Sequence, residues 1–213
     1  MSIREERKRQ SRQALLDAAL SFSMAGQAFS STSLREITKT AGLVPTAFYR
    51  HFSDMEKLGL ELVDQAALHI KQIEFQMGHI FQHQPDMRVA TSLGLLFQKV
   101  SQQPEPWGFM ISERWGGSAA LRAAIQREIR YLIDDLCNDL CRTEKLAKLK
   151  DTQDVQVLSH ILINLALNWA MQWLDLQRST PPEQLAQQQI LFQEQAINQV
   201  KLLLRGILPK EAG

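Results

Sequence analysis

The sequence predicts an all-α fold, and three observations carry that expectation. Strand signals are nearly absent, with no alternating β-branched run and no Asn-Gly or Asp-Gly hairpin turn. Ala, Leu, Gln, Glu and Arg, all good helix formers, dominate the composition. Apolar residues recur at helical spacing between capping residues, glycines and prolines. With 213 residues the chain can bury a real core, as one large domain or two small ones.

The first helix is expected over Ile3–Met24, with Leu15, Ala18, Ala19 and Phe22 facing inward. Arg4, Lys8 and Arg12 repeat every four residues and share its other face, as a solvated stripe or as phosphate contacts. Gly26 ends this helix, and Phe29 plugs the core beyond it. Ser33 and Glu36 have the spacing of a capping box that opens a second helix, with Leu34, Ile37 and Ala41 on one face. Gly42 supplies a turn where positive φ carries no steric penalty. Pro45 lacks an amide proton and suits a first helical turn, which places a third helix at residues 45–51.

Two helices joined by a tight glycine turn can place the second in the major groove of DNA. Phe48 and Phe52, four apart, point inward together. The short side chains of Val44, Pro45, Thr46 and Ala47 allow close approach to base edges, and Tyr49, Arg50 and His51 can donate to phosphates. Ser33, Arg35 and Lys57 complete the expected DNA-contacting set. The alternative is an ordinary helical hairpin with a solvated basic end. Charge favours the first reading. Residues 1–52 carry eight Lys/Arg against four Asp/Glu, a balance of +4, while residues 53–213 carry sixteen against nineteen, a balance of −3.

Ser53 and Glu56 have the spacing of a second capping box, opening a fourth helix that runs into the mid-seventies and breaks around residues 78–85. A fifth helix is expected over residues 86–102, with Leu93, Leu96, Phe97 and Val100 inward. Residues 103–106, with two prolines, read as a break before a short apolar piece at 107–111. Gly116-Gly117 is a further break, and Ser118 caps a long helix over Ala119–Cys141. Residues 143–154 read as a charged loop. A helix of about 25 residues then runs to Arg178, and Thr180 with the following prolines and Glu183 opens the last helix, to about Gly206. The last two helices carry more apolar surface than one hairpin can bury, which points to pairing with a second copy.

Catalytic signatures are missing. The chain has no G-x-S-x-G elbow, phosphate loop, H-E-x-x-H or dinucleotide-binding glycine pattern, so no enzyme is expected. No cofactor is expected, and no metal. His79 and His83 lie four apart, but near Gly78 and Pro85 and without a third ligand nearby in sequence. Cys137 and Cys141 share a helix face, where a bond between them would distort the helix and clamp nothing else. The charged start of the chain has no apolar core after it, so no leader is expected. The most apolar stretch, 158–176, is too polar to span a bilayer, and a reducing cytoplasm is the expected compartment.

The remaining candidates lie outside the DNA-binding segment. Trp107, Phe109, Trp115, Trp169 and Trp173 are either core or the wall of an apolar ligand pocket. Arg114, Ser118 and Arg122 gather at a loop-to-helix junction that can hold an anion, or form a corner paired with Glu113 and Glu128. His160, Asn164, Asn168 and Gln172 repeat every four residues on the most apolar helix, as a solvent face, a dimer seam or the polar side of a pocket.

Ser33, Ile37, Ala41, Gly42, Leu43, Phe48, Tyr49, His51 and Phe52 resemble in register the DNA-binding head of the TetR family of bacterial repressors. One departure is Val44, where that family often has a capping Ser. The stretch 112–129, reading S-E-R-W-G-G-S-A-A-L-R-A-A-I-Q-R-E-I, is similar to the FabR/DesT-type regulators of unsaturated fatty acid synthesis, with Trp115 in place of a smaller residue. The resemblance covers roughly residues 10–135. It implies a DNA-binding head at 1–54 and a ligand-binding and dimerisation body at 55–213. It also implies a homodimer joined through the two C-terminal helices, double-stranded DNA with a palindromic operator as partner, and an apolar effector such as a long-chain acyl-CoA. A repressor of an efflux or detoxification operon that senses drugs is the neighbouring alternative. A helical ligand-binding module without DNA binding is a third.

Overall fold

A computed structural model describes residues 2–83, 88–142 and 152–207; at 81–83, 88, 152 and 207 it describes the backbone alone. Among the described residues the chain is helical and without strands. In chain order the helices are α1 (Ile3–Met24), a 3-10 turn (Phe29–Ser31), α2 (Leu34–Thr40), α3 (Pro45–Phe48), α4 (Met55–His83), α5 (Arg88–Gln102), α6 (Pro104–Glu113), α7 (Ala119–Cys141), α8 (Thr152–Ser179) and α9 (Pro182–Ile207). They pack into two units. The first holds Met1–His69 with Glu105–Arg127, and the second Ile70–Pro104 with Glu128–Gly213.

The first unit is built on α1 to α3, the start of α4, α6 and the start of α7. Leu15, Leu16, Ala18 and Ala19 turn the inner face of α1 toward a core that includes Ile37, Phe48, Phe52, Leu58 and Leu62. Phe29, buried as expected, meets Phe109 of α6 edge-on with centroids 6.0 Å apart. Gly59 makes room for it, since a Cβ there would lie 2.7 Å from the Phe29 ring.

In the second unit α5, α8 and α9 pack on one another. Phe97 stacks on Trp173 at 4.6 Å, and Phe192 of α9 stands against both rings. Each buried indole of α8 has its N–H satisfied: Trp173 donates to Ser101 Oγ and Trp169 to Gln199 Oε1, both at 2.8 Å. Leu140, Val155 and Leu158 form a further apolar cluster with the two half-buried cysteines, both free thiols, against it.

Several boundaries differ from the sequence reading, each for a physical reason. α3 stops at Phe48, because the Arg50 and His51 amides bond three residues back, at 3.2 and 2.8 Å, and tighten the chain into a turn. α4 is capped by Asp54, whose Oδ1 accepts the Lys57 amide at 2.8 Å, while Ser53 donates to the same carboxylate and makes no box with Glu56. α4 also runs through Gly78 to His83. That glycine is a close approach rather than a stop, since a Cβ there would sit 2.8 Å from Asp139 Oδ2 on α7. Pro104 opens α6 at its first position instead of marking a gap, and α6 is ten residues long. α9 begins at Pro182 with the Pro181 carbonyl accepting from Gln184 and Leu185, one residue beyond the expected Thr180 cap. α8 already includes Thr152 to Asp154, and the rest of the expected loop, like the expected helix start at Asp86, lies outside the described residues. Among the described residues no helix is long and apolar enough to cross a membrane.

Candidate nucleic-acid interface

The α2–turn–α3 segment is fixed from both ends. Ser33 Oγ accepts the Glu36 amide at 3.3 Å, and the Glu36 carboxylate accepts the Ser33 amide at 2.7 Å. At the other end of α2, Gly42 adopts φ +69°, Leu43 N–H bonds Thr38 O at 2.8 Å and Gly42 N–H bonds Lys39 O at 3.1 Å. These two bonds make a Schellman cap, which needs a left-handed residue at the position Gly42 occupies. Val44 precedes α3 with no side-chain cap bond, and Pro45 takes the first helical position.

The short helix α3 is held by one side chain. Phe48 is fully buried and packs on Phe52 with centroids 5.6 Å apart. The helical period then turns Val44, Pro45, Thr46, Tyr49 and Arg50 outward, with Ala47 at the boundary. Val44 and Tyr49 are each 64% exposed, so both are free to meet a partner. The Tyr49 ring is edge-on to Phe48 at 5.7 Å, so its orientation is set from below. Ser33, Arg35 and Lys57 are exposed as well, Lys57 in the first turn of α4. Nine of the ten expected DNA-contacting residues therefore reach solvent or its edge around α2, α3 and the start of α4.

His51 is the tenth and is placed differently. It is half-buried, with Nε2 2.8 Å from Ser11 Oγ on α1. The expected basic stripe on α1 also divides. Arg4 and Lys8 are exposed, but Arg12 grips the Glu61 carboxylate with both terminal nitrogens and lies 4.7 Å over the Phe52 ring. Arg12 is thus a brace between α1 and α4. Its spacing gave no sign of this, because Glu61 is 49 residues away in sequence.

The expected ligand-wall residues fall in both units. Trp107 and Phe109 are buried in the first unit, where the Trp107 indole nitrogen has no hydrogen-bond partner. Arg114 lies 5.6 Å over the ring of Trp115, which is 79% exposed, and Arg122 donates to the Gly116 carbonyl at 2.5 Å. Glu113 accepts the Phe29 amide, and Glu128 pairs with Lys71 at 3.2 Å. Trp169 and Trp173 belong to the second unit and are packed core with satisfied N–H groups. On α8, His160, Asn168 and Gln172 are exposed and Asn164 is half-buried; Val157, Ile161 and Met171 are exposed beside them. Among the described residues no group of three or more His, Cys, Asp or Glu side chains could hold a metal ion.

Comparison with known proteins agrees with this geometry. Residues 15–62 match the model of the bacterial regulatory proteins of the tetR family, and residues 85–194 that of a tetracyclin repressor-like C-terminal domain. Among similar solved structures, NalD, the secondary repressor of the MexAB-OprM multidrug efflux pump in Pseudomonas aeruginosa, superposes with a TM-score of 0.65 at 20% identity, over 96% of this chain and 99% of that one. A TetR-family transcriptional regulator from Syntrophomonas wolfei gives 0.68 at 20% identity, over 94% and 97%. The fatty acid degradation regulator FadR from Bacillus halodurans gives 0.58 at 15% identity, over 94% and 96%. At these identities the structures establish a shared fold. The family models establish descent as well: this chain belongs to the TetR family of DNA-binding transcriptional regulators, and is not an enzyme.

Proposed function

We propose that the chain is a cytoplasmic homodimeric repressor that reads a palindromic operator through α3 and is controlled by an apolar effector, a long-chain acyl thioester. The observation that carries the DNA reading is the outward face of α3, where Val44, Thr46, Tyr49 and Arg50 surround a single buried anchor, Phe48. A four-residue helix reads few base pairs by itself, so a symmetric pair with half-sites about one helical turn apart is needed for specificity. Ile190, Leu191 and Leu202 on α9, 48–70% exposed, and the exposed apolar residues of α8 supply the dimer face, with the polar ribbon of α8 beside it.

The effector reading rests on the resemblance of residues 112–129 to acyl-sensing regulators, and the buried, unpartnered Trp107 N–H leaves a donor for a polar atom of a ligand. A drug-sensing repressor is the second reading, supported by the likeness to NalD, a repressor of a multidrug efflux pump. Native mass spectrometry with oleoyl-CoA, palmitoyl-CoA and a panel of hydrophobic drugs separates the two. A mass shift only with drugs removes the acyl reading and leaves the repressor standing. For the DNA reading, gel shifts on a footprinted operator should show steep salt dependence and at least a tenfold loss, about 1.4 kcal/mol, for Tyr49→Ala. A Tyr49→Ala protein that binds as well as the parent contradicts it.

A further inference from the structure

His51 lies within the DNA-reading segment, and its ring is already engaged. Ser11 Oγ is 3.0 Å from the Lys8 carbonyl oxygen and 2.8 Å from His51 Nε2. The Ser11 hydroxyl donates to the Lys8 carbonyl, which leaves its oxygen to accept from the imidazole; the opposite arrangement would put the ring proton on Nδ1, buried and unpaired. Nε2 therefore carries the ring proton, and in the neutral ring Nδ1 has none. Nδ1 is buried and has no hydrogen-bond partner. A second proton there would be unsolvated. Burial, followed by the charges of Lys8 and Arg12 on α1 and of Arg50 in the same turn, holds the imidazole below its usual range. Arg12 itself is held by Glu61 of α4.

One edge of the ring thus spends its N–H on Ser11, and the other edge has no proton to give. Neither can donate to a phosphate. We propose that His51 is a positioning residue for operator binding: its Nε2–H···Oγ bond to Ser11 ties the turn after α3 to α1 and so fixes Tyr49 and Arg50 against the DNA. The proposal rests on the DNA-binding reading above. It reverses the role that the position of His51 in sequence suggests, because the phosphate contacts are made by its neighbours.

The test is a double-mutant cycle of Ser11→Ala and His51→Asn read on operator affinity across salt. Asn is too short to reach Ser11, whereas Gln places an N–H near the position of Nε2. Each single variant should weaken binding by about tenfold, the scale of one hydrogen bond. The double variant should be no weaker than either single one, and His51→Gln should recover most of the loss. The slope of log affinity against log salt should be unchanged in all of them, because no phosphate contact is removed. A slope lowered by about one in His51→Asn with no effect of Ser11→Ala would show that His51 holds a phosphate, and overturns the proposal. Lower melting temperatures with unchanged operator affinity overturn it too. Nitrogen NMR of the free protein supplies a readout without DNA. The His51 ring should be in the Nε2–H form in the parent and lose that preference in Ser11→Ala; a predominant Nδ1–H form in the parent sinks the inference. If the parent binds no DNA while the tautomer is as stated, the DNA-binding reading has failed and the Ser11–His51 bond has not.

Discussion

Glu113 Oε1 accepts the backbone proton of Phe29 at 2.8 Å, across 84 residues of sequence, and the Glu113 side chain is only 1% exposed. The bond joins the end of α6 to the 3-10 turn that leads into α2. Its surroundings are built for it. Phe29 packs edge-on against Phe109, Ser23 and Ser112 lie 3.3 Å apart, and a Cβ at Gly116 would fall 2.1 Å from Glu113 Oε2. A side chain at 116 therefore cannot coexist with the carboxylate in this position.

Glu113→Ala should cost about 2–3 kcal/mol in urea denaturation, because it leaves the Phe29 amide buried and unpaired. Glu113→Gln keeps an acceptor in place and should cost about 1 kcal/mol. Gly116→Ala should resemble Glu113→Ala rather than a surface substitution. A Glu113→Ala protein as stable as its parent would remove the bond from any structural account.

Glu74 gives a stability that falls as pH rises. Its carboxyl is pushed up to about 8, first by burial and then by the negative charges of Asp135 and Asp139 on α7, with Lys71 partly opposing them. Oε1 is buried with no hydrogen-bond partner, so the ionised form has little to hold it. In the unfolded chain the group titrates near 4.5. Between these two values the folded state binds the extra proton, and unfolding releases it. The contribution is therefore whole below about pH 4.5 and is lost as pH rises through about 8. The total is on the order of 5 kcal/mol. Glu74→Gln mimics the protonated acid, so it should match the parent near pH 4.5 and be more stable by a few kcal/mol at pH 9. Equal denaturation midpoints for the two proteins across that range would refute the reading.

These two carboxylates also mark where the sequence stopped being informative. Features decided within a few residues were legible: the Ser33–Glu36 box, the Gly42 turn, the inward Phe48 and Phe52, and both ends of α1 and α7. Gly78 and Pro104 look like breaks in the sequence because a glycine or proline carries the same local signal whether it ends a helix, admits a neighbour or opens the next helix. Asp139, which explains Gly78, is on another helix. The exposed side of α3 follows from Phe48 alone and helical geometry, so most of the candidate site could be placed in advance. The commitments of Arg12 to Glu61 and of His51 to Ser11 could not, because each partner lies 40 residues or more away.

Gly42 is required by its backbone rather than by space. Its φ is +69°, and nothing stands within 4 Å of an added Cβ. Gly42→Ala should thus cost about 1 kcal/mol or more through left-handed strain alone. Asn tolerates that conformation better, so Gly42→Asn should cost less. Thermal denaturation of the pair checks this, and an alanine variant equal to the parent contradicts it.

Trp173 distinguishes a packed core from the wall of a ligand pocket. Its ring is 3% exposed, stacks on Phe97 and donates to Ser101 Oγ at 2.8 Å, while Gln177 donates to the same oxygen at 2.7 Å. A core tryptophan held in this way should cost about 3–5 kcal/mol when cut to Ala. Trp173→Phe keeps the stack and gives up the hydrogen bond, at about 1 kcal/mol. Ser101→Ala should then lose little further when combined with Trp173→Phe, since both remove the same bond. A ring that lined an empty pocket would behave otherwise: its truncation would enlarge a cavity already present, break no stacking and leave unfolding in urea within about 1 kcal/mol of the parent. The stacked geometry with Phe97 and the tilted ring of Phe192 favour the first outcome, and with it a ligand seat elsewhere than at Trp173.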